Sequence, residues 1–147
     1  ELARERTQGA LWGIDYSGDV VVAGMSRFEP LVRSGRMNLL CADVHALPLR
    51  DALVSAVCSV NTIYFWADPV RALAQLQRVL KPGGRLALGF SGADKMRQFD
   101  RITQHGFTLY DAARVETLLR GAGFGRVDTR ALAGGVSSGD YVCLASK

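Results

Sequence analysis

The stretch ALWGIDYS, residues 10–17, is a short apolar run that ends in an acid and passes straight to a serine. Such a run reads as a strand, and Ser17 is placed to cap the helix that follows. Asp15 then stands at the carboxyl tip of a strand that turns directly into a helix. An open α/β sheet presents its binding groups at that edge. The reading fixes what the rest of the chain must supply: further strands, each followed by a helix.

Working outward, ELARERTQ before this strand looks like the tail of a helix, with Gly9 as its C′ residue. After Ser17 a helix is expected to about Gly35, with Val21, Met25, Phe28 and Val32 forming its stripe. Pro30 should break or kink it, because proline lacks the N–H that the ladder needs. MNLLCADV is the next strand, ending in Asp43, and HALPLRDA is a turn-rich connection. SAVCSVNTIYF is β-branched and apolar, as expected of a fully buried strand.

Asp68 as N-cap and Pro69 at the first helical position open a helix with Val70, Leu73, Leu76 and Leu80 on one face. Lys81-Pro82-Gly83-Gly84 stops it, and RLALGFS is another buried strand. Beyond a polar segment around residues 92–106, Thr108 and Asp111 have capping-box spacing. The helix they start should bury Val115, Leu118, Leu119 and Ala122 and end at Gly121 and Gly123. FGRVDTRAL and DYVCLAS close the chain. No helix separates them, so they form an antiparallel hairpin through AGGVSSG.

Strands alternating with helices, then a hairpin, describe a mostly parallel α/β sheet with one reversed strand. The 147 residues suit a single domain, and 48% hydrophobic with 22% charged residues is a globular composition. No apolar run reaches the ~20 residues of a membrane span. The net charge of +4 comes from 15 arginines and three lysines scattered along the chain. Scatter of that kind argues against nucleic acid as a partner. Cys41, Cys58 and Cys143 show no CxxC spacing, so no metal is expected. They read as three buried, reduced thiols, which places the protein in the cytoplasm.

The strand ends carry more specific information. GIDYS, ADVHALPLRDALVSAVCSVNTIYFWADP, RVLKPGGRLALGF and DAARVETLLRGAGF, in that order, resemble the class I S-adenosylmethionine-dependent methyltransferases, from about residue 10 to the end. The most telling pieces are ADVHALPL and LKPGG. A dinucleotide-binding oxidoreductase shares the logic of Asp15 but has neither of these. The resemblance implies a Rossmann-like sheet of order 3-2-1-4-5-7-6 with the seventh strand antiparallel. It also implies that the sequence begins inside the first helix, so that the family's first strand and glycine-rich loop are missing.

By position, the resemblance assigns Asp15 to the two ribose hydroxyls of the cofactor. A carboxylate suits them, since it only accepts and a diol offers two donors. Tyr16 would lie beside the ribose or adenine. Asp43 matches the acid that takes the adenine amino group, with the Val44 N–H on a ring nitrogen. Asn61 would turn its backbone to the cofactor's amino-acid end. Tyr64, Phe65 and Trp66 form an aromatic run at the mouth of the site, where aromatic faces attract a sulfonium by about 0.5–2 kcal/mol. Tyr64, Trp66 and His105 are the candidate substrate-pocket residues. His45 is expected at the surface or capping its turn. Asn61-Thr62-Ile63-Tyr64 shares only its end residues with the Asn-Pro-Pro-Tyr motif of enzymes that methylate base amino groups, and is read as coincidence.

The expected function is therefore methyl transfer from S-adenosylmethionine to a small molecule, leaving S-adenosylhomocysteine. No residue stands out as a catalytic base. The alternative is a non-catalytic methyltransferase-like fragment or interaction module with impaired cofactor binding. A sheet lacking its central strand exposes unpaired edges, so a second copy that completes it, giving a homo-oligomer, is a further expectation.

Overall fold

The computed structural model describes residues 9–97, 107–132 and 139–147. The expected helix at residues 1–8, His105 and most of the AGGVSSG turn lie outside the described residues. The chain divides into two compact units, residues 1–48 and 49–147, taken in turn.

In the first unit β1 (Leu11–Asp15) and β2 (Met37–Cys41) pair in parallel, with Leu11 opposite Met37 and Asp15 opposite Cys41. Parallel neighbours need a crossover, which α1 (Gly18–Arg27) and α2 (Glu29–Arg33) provide. Ser17 caps α1 as expected: its backbone is extended and its Oγ accepts from the Val20 N–H at 3.4 Å. The segment breaks at Phe28, just before Pro30, so the single helix to Gly35 is in fact two. Of the expected stripe only Val21 is buried, while Met25 is 43% exposed. A two-stranded sheet, with strands about 5 Å apart, is too narrow to cover the whole face.

The second unit holds a four-stranded sheet of order β3-β4-β6-β5: β3 (Val54–Val60), β4 (Leu80–Ser91), β5 (Arg126–Ala131) and β6 (Asp140–Ser146). β3 and β4 are parallel; β6 runs antiparallel to both β4 and β5, which makes it the expected reversed strand. β3 has one strand neighbour among the described residues, and its face is open: Ser55, Ala56, Cys58 and Val60 are exposed. The apolar run from Ser55 to Phe65 is thus not a fully buried strand. It leaves the sheet at Asn61, whose φ is +55°, and enters a short 3₁₀ turn at Ile63–Phe65. Apolar composition predicts a preference for burial, not the presence of a neighbour.

Between β3 and β4 runs α3 (Pro69–Val79), with the Asp68 carboxylate accepting from the Arg71 N–H at 3.0 Å. It buries Ala72, Leu73, Leu76 and Val79, whereas Val70 is 53% exposed. At 3.6 residues per turn Val70 points about 130° away from the centre of the buried set. LKPGG does end α3, but the strand after it starts at Leu80 rather than Arg85. The step from Leu80 to Arg85 faces the shorter step from Val54 to Ala56, so Lys81–Gly84 bulges out. Gly83 sits at φ +73°, and a Cβ on Gly84 would stand 2.8 Å from the Lys81 carbonyl, so the bulge depends on both glycines.

A four-residue turn, α4 (Ala93–Met96), follows β4. Then comes α5 (Ala112–Gly121), whose N-cap is Asp111, bonded to the Arg114 N–H at 2.7 Å. Thr108 lies too far upstream to cap it. Phe124 N–H to Leu119 O and Gly123 N–H to Arg120 O close its end, the paired bonds of a Schellman stop. α3 and α5 pack together. The core of the unit is Leu73 and Val79 from α3, Val115 and Leu119 from α5, Leu86 and Leu88 from β4, and Cys143 from β6. Each large apolar side chain buried there contributes roughly 1.5–3 kcal/mol.

Only one of the three thiols is buried. Cys41 and Cys58 are exposed, whereas Cys143, on β6 opposite Leu88 of β4, is buried in the core.

Candidate functional site

In the first unit the two acids stand at the carboxyl ends of paired parallel strands. Asp15 is the last residue of β1, and Asp43 follows β2 by two residues. Parallel pairing brings both to the same edge, and backbone bonds fix each carboxylate. Asp15 Oδ1 accepts from the Ser17 N–H at 2.9 Å, the Asx geometry that also sets Ser17 up as the cap of α1. Asp43 Oδ1 accepts from the His45 N–H at 2.8 Å and heads the 3₁₀ turn Val44–Ala46. A carboxylate has about four acceptor sites, so a turn bond leaves room for a ligand hydroxyl or amine. Tyr16, beside Asp15, is 80% exposed.

His45 does more than cap a turn or face solvent. Its Nδ1 lies 2.6 Å from Asp43 Oδ1, and its side chain is only 16% exposed. The imidazole helps to orient Asp43. The spacing of an acid two residues before a histidine was the available signal.

In the second unit the groups gather where β3 and β4 end. Asn61 leaves β3 in the left-handed region, and its N–H donates to Gly89 O at 2.9 Å. Asparagine tolerates that backbone better than most residues. The aromatic run after it is divided by burial: Tyr64 and Trp66 are 6% and 7% exposed, Phe65 is 65% exposed. Phe65 meets Phe107 edge to face, with centroids 4.9 Å apart. Tyr64 turns inward, where its hydroxyl accepts from the Ser91 N–H and faces the Ser91 carbonyl at 3.1 Å.

Ser91 links this corner to two residues that sequence reasoning missed. Its Oγ donates to Asp140 Oδ1 at 2.6 Å, and the Lys95 ammonium donates to Asp140 Oδ2, also at 2.6 Å. Asp140 lies opposite Ser91 in the antiparallel register of β4 and β6. It becomes visible only once that register is known.

The fold moves several acidities. The Lys95 bond, then the Ser91 hydroxyl, holds Asp140 below the usual carboxylate range. Burial pushes the Tyr64 and Tyr110 phenols up, and likewise the Cys143 thiol. All four move away from neutrality, so none of them is poised as a general base near pH 7. No metal-holding group of three or more His, Cys, Asp or Glu occurs among the described residues, and none of their helices is long and apolar enough to cross a membrane.

A methyltransferase-domain family model matches residues 1–88. The malonyl-acyl-carrier-protein O-methyltransferase of Methylococcus capsulatus is 35% identical over 129 residues, covering 80% of this chain and 46% of that protein. The chain spans 23% to 60% of the length of the first curated relatives it matches. The methyltransferase partner of the Trm112 activator from Haloferax volcanii has the same fold, with a TM-score of 0.84 at 19% identity, covering 98% of this chain and 75% of that one. So does a Haemonchus contortus phosphoethanolamine N-methyltransferase solved with S-adenosylhomocysteine: TM-score 0.83, 13% identity, 99% of this chain and 45% of that one. The two-strand and four-strand orders agree with those the resemblance implied. By the matched family model, its methyltransferase relatives and its fold, the chain belongs to the class I S-adenosylmethionine-dependent methyltransferases.

Proposed function

We propose that the chain binds S-adenosylmethionine and takes part in methyl transfer to a small-molecule acceptor. The observation that carries this is the pair of acids, Asp15 and Asp43, fixed by backbone N–H bonds at the same edge of β1 and β2. In this reading Asp15 accepts from the ribose diol and Asp43 from the adenine amine, with Tyr16 beside the nucleoside. When bound, the cofactor supplies an electrophilic methyl on a sulfonium, so the chain's own residues need only hold, align and shield the reacting groups.

A small acceptor is favoured over nucleic acid because the basic residues are scattered rather than clustered. The free cysteines Cys41, Cys58 and Cys143 favour a reducing compartment such as the cytoplasm.

Incubation with methyl-labelled cofactor, offered small hydroxyl, amine and activated-carbon acceptors beside RNA and protein, tests the acceptor class. Label in a small molecule supports the proposal. Label only in RNA or protein overturns it.

A further inference from the structure

The edge of β3 turned away from β4 carries no strand among the described residues, and β3 is exposed at Ser55, Ala56, Cys58 and Val60. One bond fixes which backbone groups line that edge. The Asn61 N–H donates to Gly89 O, toward β4. Backbone groups alternate sides along a strand, so those of Val57 and Ser59 also face β4. Val54, Ala56, Cys58 and Val60 therefore turn their N–H and C=O groups outward.

Proteins guard such an edge with lysine, proline, a bulge or a covering element. Val54–Val60, VSAVCSV, contains neither a charge nor a proline, and the bulge beside it lies in β4 at Lys81–Gly84. The order of these residues adds a second observation, because it reads nearly the same in both directions about Val57. Set antiparallel to a second copy and centred there, Val54 meets Val60, Ser55 meets Ser59, Ala56 meets Cys58 and Val57 meets itself. The backbone permits this same register. Antiparallel strands exchange hydrogen bonds only between residues that both turn their backbone to the partner. Here outward Val54 and Ala56 stand opposite outward Val60 and Cys58, whereas a shift of one residue would set outward groups against inward ones.

We infer that the free edge of β3 is a self-association surface, which joins two copies of this chain through an antiparallel β3–β3 ladder centred on Val57. A two-fold axis through Val57 closes the pair. About eight hydrogen bonds form, two for each pair of outward residues. The strand has seven residues, so the contact is smaller than the ~1,200–2,000 Å² of a standard interface, and a dissociation constant of about 10–100 µM is expected. No part of this rests on the cofactor reading.

Sedimentation of the wild-type chain well above that range should give the mass of a dimer. Cys58→Pro removes an outward N–H and leaves the β4 ladder whole, so it should give a monomer with unchanged circular dichroism. Ala56→Lys should also weaken the dimer, and it serves where the proline variant does not fold. In a Cys41→Ser, Cys58→Ser background, Val57→Cys should form a disulfide-linked dimer under mild oxidation. The two copies of that position are a pair without hydrogen bonds, with Cα atoms about 4.5 Å apart and within disulfide reach. Ser59→Cys in the same background should not link, because its two copies stand four residues out of register, roughly 13 Å apart. A folded wild type that stays monomeric, or that grows beyond a dimer, overturns the inference. So does a dimer that both edge substitutions leave intact, or one that links through residue 59 as readily as through residue 57.

Discussion

Two glycine-to-alanine substitutions in the second unit should change stability in opposite directions. At Gly139 φ is +118°, and an added Cβ would stand 2.9 Å from Lys95 Cβ. Backbone strain of this kind costs about 1–3 kcal/mol for a side-chain-bearing residue. Lys95 Cβ is rigidly attached to α4, so rotation of the side chain cannot relieve the contact and the turn must shift, at roughly 1 kcal/mol more. Gly139→Ala should therefore destabilise by about 2–4 kcal/mol, a large part of a typical domain's ~5–15 kcal/mol. Gly121, the last residue of α5, meets nothing within 4 Å and has no positive φ. Alanine there gains helix propensity and should stabilise by up to about 0.5 kcal/mol. Urea unfolding followed by circular dichroism gives both values. A loss below about 0.5 kcal/mol for Gly139→Ala, or a Gly121→Ala variant more than about 1 kcal/mol less stable than wild type, would refute the packing argument.

Other expectations follow from single contacts. Asp111→Ala should cost about 1 kcal/mol as the loss of a cap, while Thr108→Ala stays within about 0.5 kcal/mol, and unfolding midpoints decide between the two caps. Asp140 has a lowered pKa, so its stabilisation is complete above the unfolded value near pH ~4 and is lost as pH falls through the folded value. The gap in urea midpoint between wild type and Asp140→Asn should thus hold constant from about pH 7 to 5 and close below about pH 4. A gap that widens in acid contradicts the Lys95–Asp140 pairing. A thiol reagent should label Cys41 and Cys58 in the native protein and reach Cys143 only on unfolding, since that thiol is buried with its pKa raised.

Where local chemistry decides structure, the sequence is directly readable. Asp68-Pro69 opens α3 and Ser17 opens α1 because capping needs only residues three or four apart. The break before Pro30 and the reversed β6 follow from equally local rules. What cannot be read depends on neighbours far along the chain. Exposure of Val60 and Cys58 depends on which strand adjoins β3, and the run's own composition carries no record of that. The Ser91–Asp140 contact spans 49 positions and requires the β4–β6 register. Tyr64 stands in the sequence beside Phe65 and Trp66, yet only the structure separates the ring that is 65% exposed from the two that are buried. Asp15 and Asp43 could be placed at strand ends because Asp15 closes the apolar run of β1 and Asp43 stands two residues past β2. The spacing of Asp43 and His45 permits the contact between them, and the turn at Val44–Ala46 brings it about.

Under the proposed function, Asp15 grips the cofactor's ribose. Calorimetric titration of the chain with S-adenosylhomocysteine, wild type beside Asp15→Ala, tests it most directly. Micromolar binding by the wild type is expected, weakened at least about tenfold by the substitution, the size of a loss of hydrogen bonds to a charged group. A folded wild-type chain that does not bind, or an Asp15→Ala variant that binds as tightly, would contradict it.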